Sequence, residues 1–361
     1  MYGLLRNYTW EVFHFMDPRK GRSIAKGKRS ATQPTLTFPL NEAFEIFYNA
    51  KKAEGMRDST LKNDYIANWR YFYDWMAENY PQVVNVNEVT SEHIRSYVNY
   101  MSSKPKYSGI HNREVDEKLS ANTVTSRLRT LRTFFNFLSS EGMITVNPVS
   151  NVKTPRRDQK DRVTFSDEEM RRILEAPDTT TFAGLRDRTL MYLLADAGLR
   201  INEALNLTTE HLNVKGRCLE LPAWMNKNRK PRVVPISAEV VRELLTLINE
   251  NRQYFDTDHI FVANYGEPLK AAHFRKRLKE HAEKAGVNPA LAYPHQFRSY
   301  FCTTFLLNGG DLFTLQRIVA HANIETTRGY ARMNDEHTRQ QHSQFSPLAR
   351  LGLSRVNKRR K

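Results

Sequence analysis

The sequence predicts a mainly α-helical protein of two domains, with one small antiparallel β-hairpin in the second. Three observations predict it. Apolar residues recur at helical spacing from about residue 37 to 150, and again from about 163 to 346. Between these blocks lies a stretch with two prolines, five basic residues and no apolar period. Finally, Cys218–Leu221 and residues 232–236 are short strand-like runs on either side of a polar loop.

Residues 1–36 carry Tyr2, Tyr8, Trp10, Phe13 and Phe15, then a basic run of Arg19, Lys20, Arg22, Lys26, Lys28 and Arg29. With no helical period this reads as a basic arm, either solvated or folding against nucleic acid. In the first domain, 37–150, Leu61, Tyr65, Trp69, Phe72 and Met76 form one stripe of a helix starting near Ser59. Val124, Leu128, Leu131, Phe135 and Leu138 form another, with Asn122 placed to cap it and Gly142 to end it. Arg127, Arg129 and Arg132 fall on its outer faces, as solvated charges or phosphate contacts. The sequence NPVSNVKTPRRDQKDR at 147–162 reads as a connector, with the linker itself at 151–162. The second domain, 163–346, opens on a capping box of Ser166 and Glu169 ahead of Met170, Ile173 and Leu174. The hairpin follows, with the polar loop 226–230, then further helices and a basic tail at 347–361.

The chain has 361 residues, 40% of them apolar and 26% charged, which suits two folded domains rather than disorder. Its formal net charge of +16 opposes compaction and calls for a polyanionic partner. Nucleic acid is favoured over an anionic membrane surface, since neutralising phosphates releases condensed counterions. There is no 18-residue apolar run and no lipidation signal. Cys218 and Cys302 have no zinc-site spacing and read as isolated thiols in a reducing compartment. Arg6, Glu11 and Asp17 interrupt the apolar residues at the N-terminus, so no secretory signal is expected and the location is cytoplasmic, or nuclear in a eukaryote.

Four clusters in the second domain bear chemistry. AGLRINEALNL places Arg200 and Glu203 after a glycine break. NKNRKPRVVPI places Lys227 on the hairpin loop. HQFRSYF sets His295 and Arg298 three apart, on one helix face. LLNGGDLFTLQRIVAH and ANIETTRGY carry His321 and, nine residues on, Tyr330. Singly, each has an ordinary explanation: a surface arginine, a solvated loop, a structural histidine, a packed tyrosine. With 16 tyrosines in 361 residues, however, one at a fixed offset is uncommon by chance, and the ordered set is specific although its members are not.

These segments resemble the tyrosine recombinase, or phage-type integrase, family that includes the Xer recombinases. The resemblance spans roughly 37–346, with its motifs in the second half. It departs at Ser299, where the family often has histidine, and at Val319 and Ala320, where it often has Leu-Gly. The resemblance implies a helical, SAM-like core-binding domain and a mixed α/β catalytic domain that together clamp double-stranded DNA. It implies site-specific cleavage and rejoining of DNA strands; the basic arm and basic tail beyond the two domains, which housekeeping Xer enzymes do not need, favour integration, excision or transposition of a mobile element. It also implies a homo-tetramer on two DNA sites, with accessory proteins in some systems.

In that scheme Tyr330 is the nucleophile and forms a 3′-phosphotyrosyl link. Arg200 and Arg298 stabilise charge on the non-bridging oxygens, a task suited to the planar guanidinium fork. His295 is the base, Lys227 on a mobile hairpin is the acid for the departing 5′ oxygen, and His321 hydrogen-bonds the phosphate. Glu203 orients Arg200 or a neighbouring basic residue. No metal is expected, since no carboxylate cluster of the two-metal type occurs, and no ATP, since no Walker sequence occurs. After Tyr330, apolar Phe345, Leu348, Leu351 and Leu353 are placed to dock on a neighbouring protomer, ahead of basic Arg355, Lys358, Arg359, Arg360 and Lys361; the other reading is a disordered tail. Alternative readings are an Xer-type housekeeping recombinase, a type IB-like topoisomerase and a non-catalytic DNA-binding relative.

Overall fold

The computed structural model describes residues 37–104, 118–155, 164–226, 228–320, 327, 339, 342–347 and 351. It falls into two compact units, divided between Lys160 and Asp161. The basic arm, residues 156–162 of the linker and most of the tail lie outside the described residues.

The first unit is helical. Helix α1 (Leu40–Ala53) precedes a continuous rod of α2 (Asp58–Thr60), a π-helical stretch (Leu61–Ile66) and α3 (Ala67–Asn79). Helices α4 (Ser91–Ser103) and α5 (Ala121–Ser140) follow. Leu61, Trp69, Phe72 and Met76 are buried, as their spacing predicts, while Trp75 widens the stripe and Tyr65 is half-buried against Phe47. Rings dominate the core: Phe44 stacks on Trp69 at 4.6 Å, and Phe134 meets Trp69 at 4.8 Å. Such pairs add specificity to the burial of apolar area.

Two details of α5 differ from expectation. Its N-cap is Ser120, whose hydroxyl accepts from the Thr123 amide at 3.2 Å, so Asn122 lies inside the first turn. At the other end Gly142 does follow the helix, with φ of +69°. Arg132 does not face outward. It is half-buried and donates to Thr154 Oγ1 at 2.6 Å and to the Val152 carbonyl at 2.5 Å. The cause is that Val149 and Val152 bury themselves in the core and bring the following chain back alongside α5. The packed first unit therefore extends to Val152, into the expected linker. Arg127 lies over the Tyr71 ring at 3.8 Å, and Arg129 is exposed.

In the second unit, α6 (Asp167–Glu175) begins with the predicted capping box: Ser166 Oγ accepts from the Glu169 amide at 3.2 Å, and Glu169 accepts from the Ser166 amide at 2.9 Å. The order continues α7 (Phe182–Ala197), α8 (Ile201–Leu205), β1 (Leu212–Asn213), β2 (Cys218–Leu221), β3 (Arg232–Pro235), α9 (Ala238–Tyr254), α10 (Ala271–Lys284), α11 (Pro294–Leu307) and α12 (Leu312–Val319). The predicted strands pair antiparallel, with Leu219 opposite Val234 and Leu221 opposite Arg232. A two-residue β1, not anticipated from the sequence, adds to the free side of β2.

Helix α7 is central, packed against α9 and α11, and Leu190, Met191, Leu193 and Leu194 are fully buried. It also buries charge. Asp187 receives hydrogen bonds from Arg186 Nη2 at 2.7 Å and Arg277 Nε at 2.7 Å, and lies 3.0 Å from His281 Nε2, which ties α10 to α7. Among the described residues no helix is long and apolar enough to cross a membrane, and no group of three His, Cys, Asp or Glu is placed to hold a metal.

Candidate active site

Arg200 owes its position to a helix break. Helix α7 ends at Gly198, whose φ of +58° is a left-handed conformation that glycine adopts without a Cβ penalty. A Cβ there would also lie 2.4 Å from Phe301 Cδ1 on α11, so the turn and α11 meet closely at this point. Leu199 is buried, and Arg200 then caps α8, with Glu203 reaching back to accept its amide at 2.9 Å.

Glu203 is 2% exposed and binds two arginines. Oε1 accepts from Arg200 Nη1 at 2.8 Å, while Oε2 accepts from Arg232 Nη2 at 2.8 Å. Burial acts to raise the Glu203 pKa, but the Arg232 charge and the hydrogen bonds and charge of Arg200 outweigh it and hold the carboxyl below its ordinary value. It is a carboxylate at neutral pH.

Helix α11 begins with Pro294 in its first turn, a position where the missing N–H costs nothing. His295 is exposed in that turn, and Arg298, one turn on, is 1% exposed. The i, i+3 relation thus runs from the rim of α11 into its buried face. Arg298 Nη1 donates to the Gly198 carbonyl and Nη2 to the Val319 carbonyl, both at 2.6 Å. A guanidinium carries five N–H donors, and these carbonyls take two. Burial, and then the neighbouring Arg200 charge, bring the Arg298 pKa down to about 10, which still leaves it cationic at neutral pH.

The remaining contacts converge on the end of α12. Arg200 Nη2 donates to the Ala320 carbonyl at 3.4 Å, and Asn228 Nδ2 donates to the same oxygen at 3.0 Å. Ala320 itself has φ of +47°, a left-handed conformation at the place where the resembling family often carries glycine. Three donors from α8, the hairpin loop and α11 therefore bind two consecutive carbonyls immediately before His321. Lys227, His321 and Tyr330 lie outside the described residues.

The residues flanking Lys227 are hydrogen-bonded. Asn226 is buried and donates to the carbonyls of Pro222 and Lys230, at 3.2 and 2.7 Å, which closes the loop on itself. Sequence reasoning missed Asn228 and Arg232. A signal for Arg232 existed: on a strand it shares a face with Val234, which is fully buried, so alternation alone sends it inward. A buried guanidinium then requires a carboxylate, and Glu203 is that partner.

The chain is thus a helical unit followed by a mixed unit in which two guanidiniums meet around a helix break, an arrangement suited to an anionic partner. The Phage integrase family model matches residues 164–337, and the Phage integrase SAM-like domain model matches residues 39–154. The tyrosine recombinase XerD of Staphylococcus haemolyticus is 30% identical over 239 residues, covering 65% of this chain and 80% of that protein. XerD of Staphylococcus aureus matches over the same length at the same identity. Among solved structures, the Tn1549 transposon integrase in complex with circular intermediate DNA aligns with a TM-score of 0.63 at 18% identity, over 83% of this chain and 98% of that one. XerH bound to its difH substrate aligns with a TM-score of 0.61 at 19% identity, over 85% of this chain and 84% of that one. The chain belongs to the tyrosine recombinase family. It is an enzyme of site-specific recombination, which cuts and rejoins DNA strands.

Proposed function

We propose that this recombinase integrates, excises or transposes a mobile element, through a covalent bond between Tyr330 and a 3′ phosphate of double-stranded DNA. The phenolic oxygen of Tyr330 attacks phosphorus as the bond to the 5′ oxygen breaks. His295 takes the phenolic proton and Lys227 donates one to the leaving oxygen. Attack by a 5′ hydroxyl of the partner strand then reverses these steps, so one phosphodiester is exchanged for another without fuel. Arg200 and Arg298 stabilise the charge on the non-bridging oxygens, with His321 as a further hydrogen-bond donor. Losing one such group costs on the order of 10²–10³ in rate.

The observation that carries this reading is the convergence of Arg200, Arg298 and Asn228 on the carbonyls of Val319 and Ala320. It holds two cations beside the segment that leads, through His321, to Tyr330. A nicked recombination site that releases the short 5′ strand after cleavage tests it. The expected result is a covalent protein–DNA adduct that survives denaturation and is absent in Tyr330→Phe. An adduct undiminished in Tyr330→Phe overturns the assignment, and no adduct with wild-type protein favours a non-catalytic relative.

A homo-tetramer on two DNA sites, joined by exchange of C-terminal segments and assisted by accessory proteins, completes the proposal. Phe345 and Leu351 support it, since both are exposed large apolar side chains that a neighbouring protomer would cover. The proposed domain division is that expected from the sequence, with the first domain extended to Val152, and the proposed location, where such an enzyme would meet DNA, is the cytoplasm. A second reading, housekeeping resolution of replicons, is favoured by the 30% identity to XerD. The basic arm of about 36 residues favours the mobile-element role. Deleting residues 1–36 separates the two readings: a mobile-element integrase loses integration while retaining cleavage, and a housekeeping enzyme is unaffected.

A further inference from the structure

We propose that Arg232 is a positioning residue for strand cleavage: through Glu203 it fixes Arg200 and ties the hairpin bearing Lys227 to the turn bearing Arg200. The inference rests on the roles proposed above for Arg200 and Tyr330.

Glu203 is the only carboxylate bonded to either Arg200 or Arg232 among the described residues, and it divides itself between them. Three hydrogen bonds from Arg200 and Arg232 reach its two oxygens, two at 2.8 Å and one at 2.9 Å. The charge count is informative. With Arg232 absent, Glu203 would neutralise Arg200, and an incoming phosphate would meet Arg298 as the remaining net cation. With Arg232 present, the Arg200–Glu203–Arg232 group keeps one net positive charge beside that of Arg298. Arg232 thus orients Arg200 through the shared carboxylate and preserves the field that a phosphoryl-transfer site requires.

The surroundings of Arg232 argue against a purely structural role. Its side chain is 7% exposed, and Nε and Nη1 are buried with no hydrogen-bond partner among the described residues. Unpaired buried donors are destabilising, and a long apolar side chain would fill an inward strand position without that penalty. Packing alone therefore gives no reason for an arginine at this position, whereas the bond to Glu203 does. Its strand pairing adds the second function. Arg232 lies opposite Leu221, so these residues close the hairpin at the base of the loop that contains Lys227. The Arg232–Glu203 bond is therefore a tie between that loop and α8, and Asn228 reinforces it through the Ala320 carbonyl.

The test uses full-length protein on the nicked site described above, with the single-turnover rate of adduct formation measured separately from DNA affinity. Wild type and Tyr330→Phe first establish whether the covalent chemistry holds. If it does, Arg232→Met is expected to lower the cleavage rate by about 10²-fold with DNA affinity unchanged. Arg232→Lys, which restores the charge but not the fork, should recover part of the rate. Because the two residues act as a unit, Arg232→Met and Glu203→Gln should be non-additive in the double variant. A wild-type cleavage rate in folded Arg232→Met, or in Arg232→Lys should the first variant fail to fold, overturns the inference while leaving Tyr330 in place. Strictly additive effects overturn the route through Glu203. Absence of the adduct in wild type removes the reading on which both rest.

Discussion

The carbonyl of Gly198 lies 2.6 Å from Nη1 of Arg298, a residue one hundred positions later in the chain. The break in α7 therefore does two things: it turns the chain so that Arg200 follows, and its own backbone oxygen seats the second arginine. Gly198→Ala is expected to disturb both. The φ of +58° costs a residue with a Cβ about 1–2 kcal/mol, and the added carbon also overlaps Phe301. We expect a loss of at least about 2 kcal/mol in urea unfolding, with a fall in cleavage rate on the order of 10²-fold from misplaced guanidiniums.

Ala320 offers the opposite case. Its left-handed φ of +47° is a strain that glycine would relieve. Ala320→Gly is predicted to stabilise the protein by up to about 1 kcal/mol, a gain limited by the greater freedom of glycine in the unfolded chain. Thermal unfolding measures it, and a lower melting temperature would contradict the strain argument.

Asp187 is the buried anchor of the second unit, fully enclosed and bonded to Arg186, Arg277 and His281. Burial acts to raise its pKa, but the His281 hydrogen bond, the Arg186 charge and the remaining bonds hold the carboxyl below its ordinary value. Asp187→Asn would leave the buried Arg186 guanidinium without its counter-charge, at a cost of about 3–5 kcal/mol. The loss should appear in chemical denaturation, and any loss of cleavage should track the unfolded fraction.

Glu203 gives a pH dependence of defined sign. Its folded pKa lies below the ordinary value of 4.5, so the unfolded chain takes up a proton more readily than the folded one. The resulting stabilisation is present in full above about pH 4.5 and drains away as pH falls through the lower folded value. Glu203→Gln should cost about 3 kcal/mol at pH 7 by leaving the arginines uncompensated. The difference from wild type should shrink as the pH falls from 4.5 toward 3. Urea midpoints for the two proteins across that range check it, and a constant offset would contradict the coupling.

Much of this was legible in the sequence because the signals are local. The stripe of Leu61, Trp69, Phe72 and Met76, the box at Ser166 and Glu169, and the pairing of Cys218–Leu221 with its partner strand all depend on spacing within a few residues. The motifs around Arg200, His295, Arg298 and Tyr330, in their order, carried the resemblance to the tyrosine recombinase family, and that resemblance implied strand transfer. Two local readings were displaced by competitors a few residues away: Ser120 took the cap assigned to Asn122, and Val152 drew Arg132 away from the outer face.

What the sequence by itself determined, then, was the helical class, the hairpin and the family that its motifs resemble, with the residues proposed to act on a phosphodiester. Only the tertiary structure decided how those residues are held. That Arg298 rests on Gly198 and Val319, that Arg200 and Asn228 meet at Ala320, and that Glu203 divides its oxygens between Arg200 and Arg232 are contacts across 21 to 120 positions of chain, apart from the local Arg200–Glu203 pair. Helical and strand periodicity state which face of an element turns inward. They do not state which carbonyl or carboxylate waits there, because that partner is supplied by another element brought alongside when the core closes.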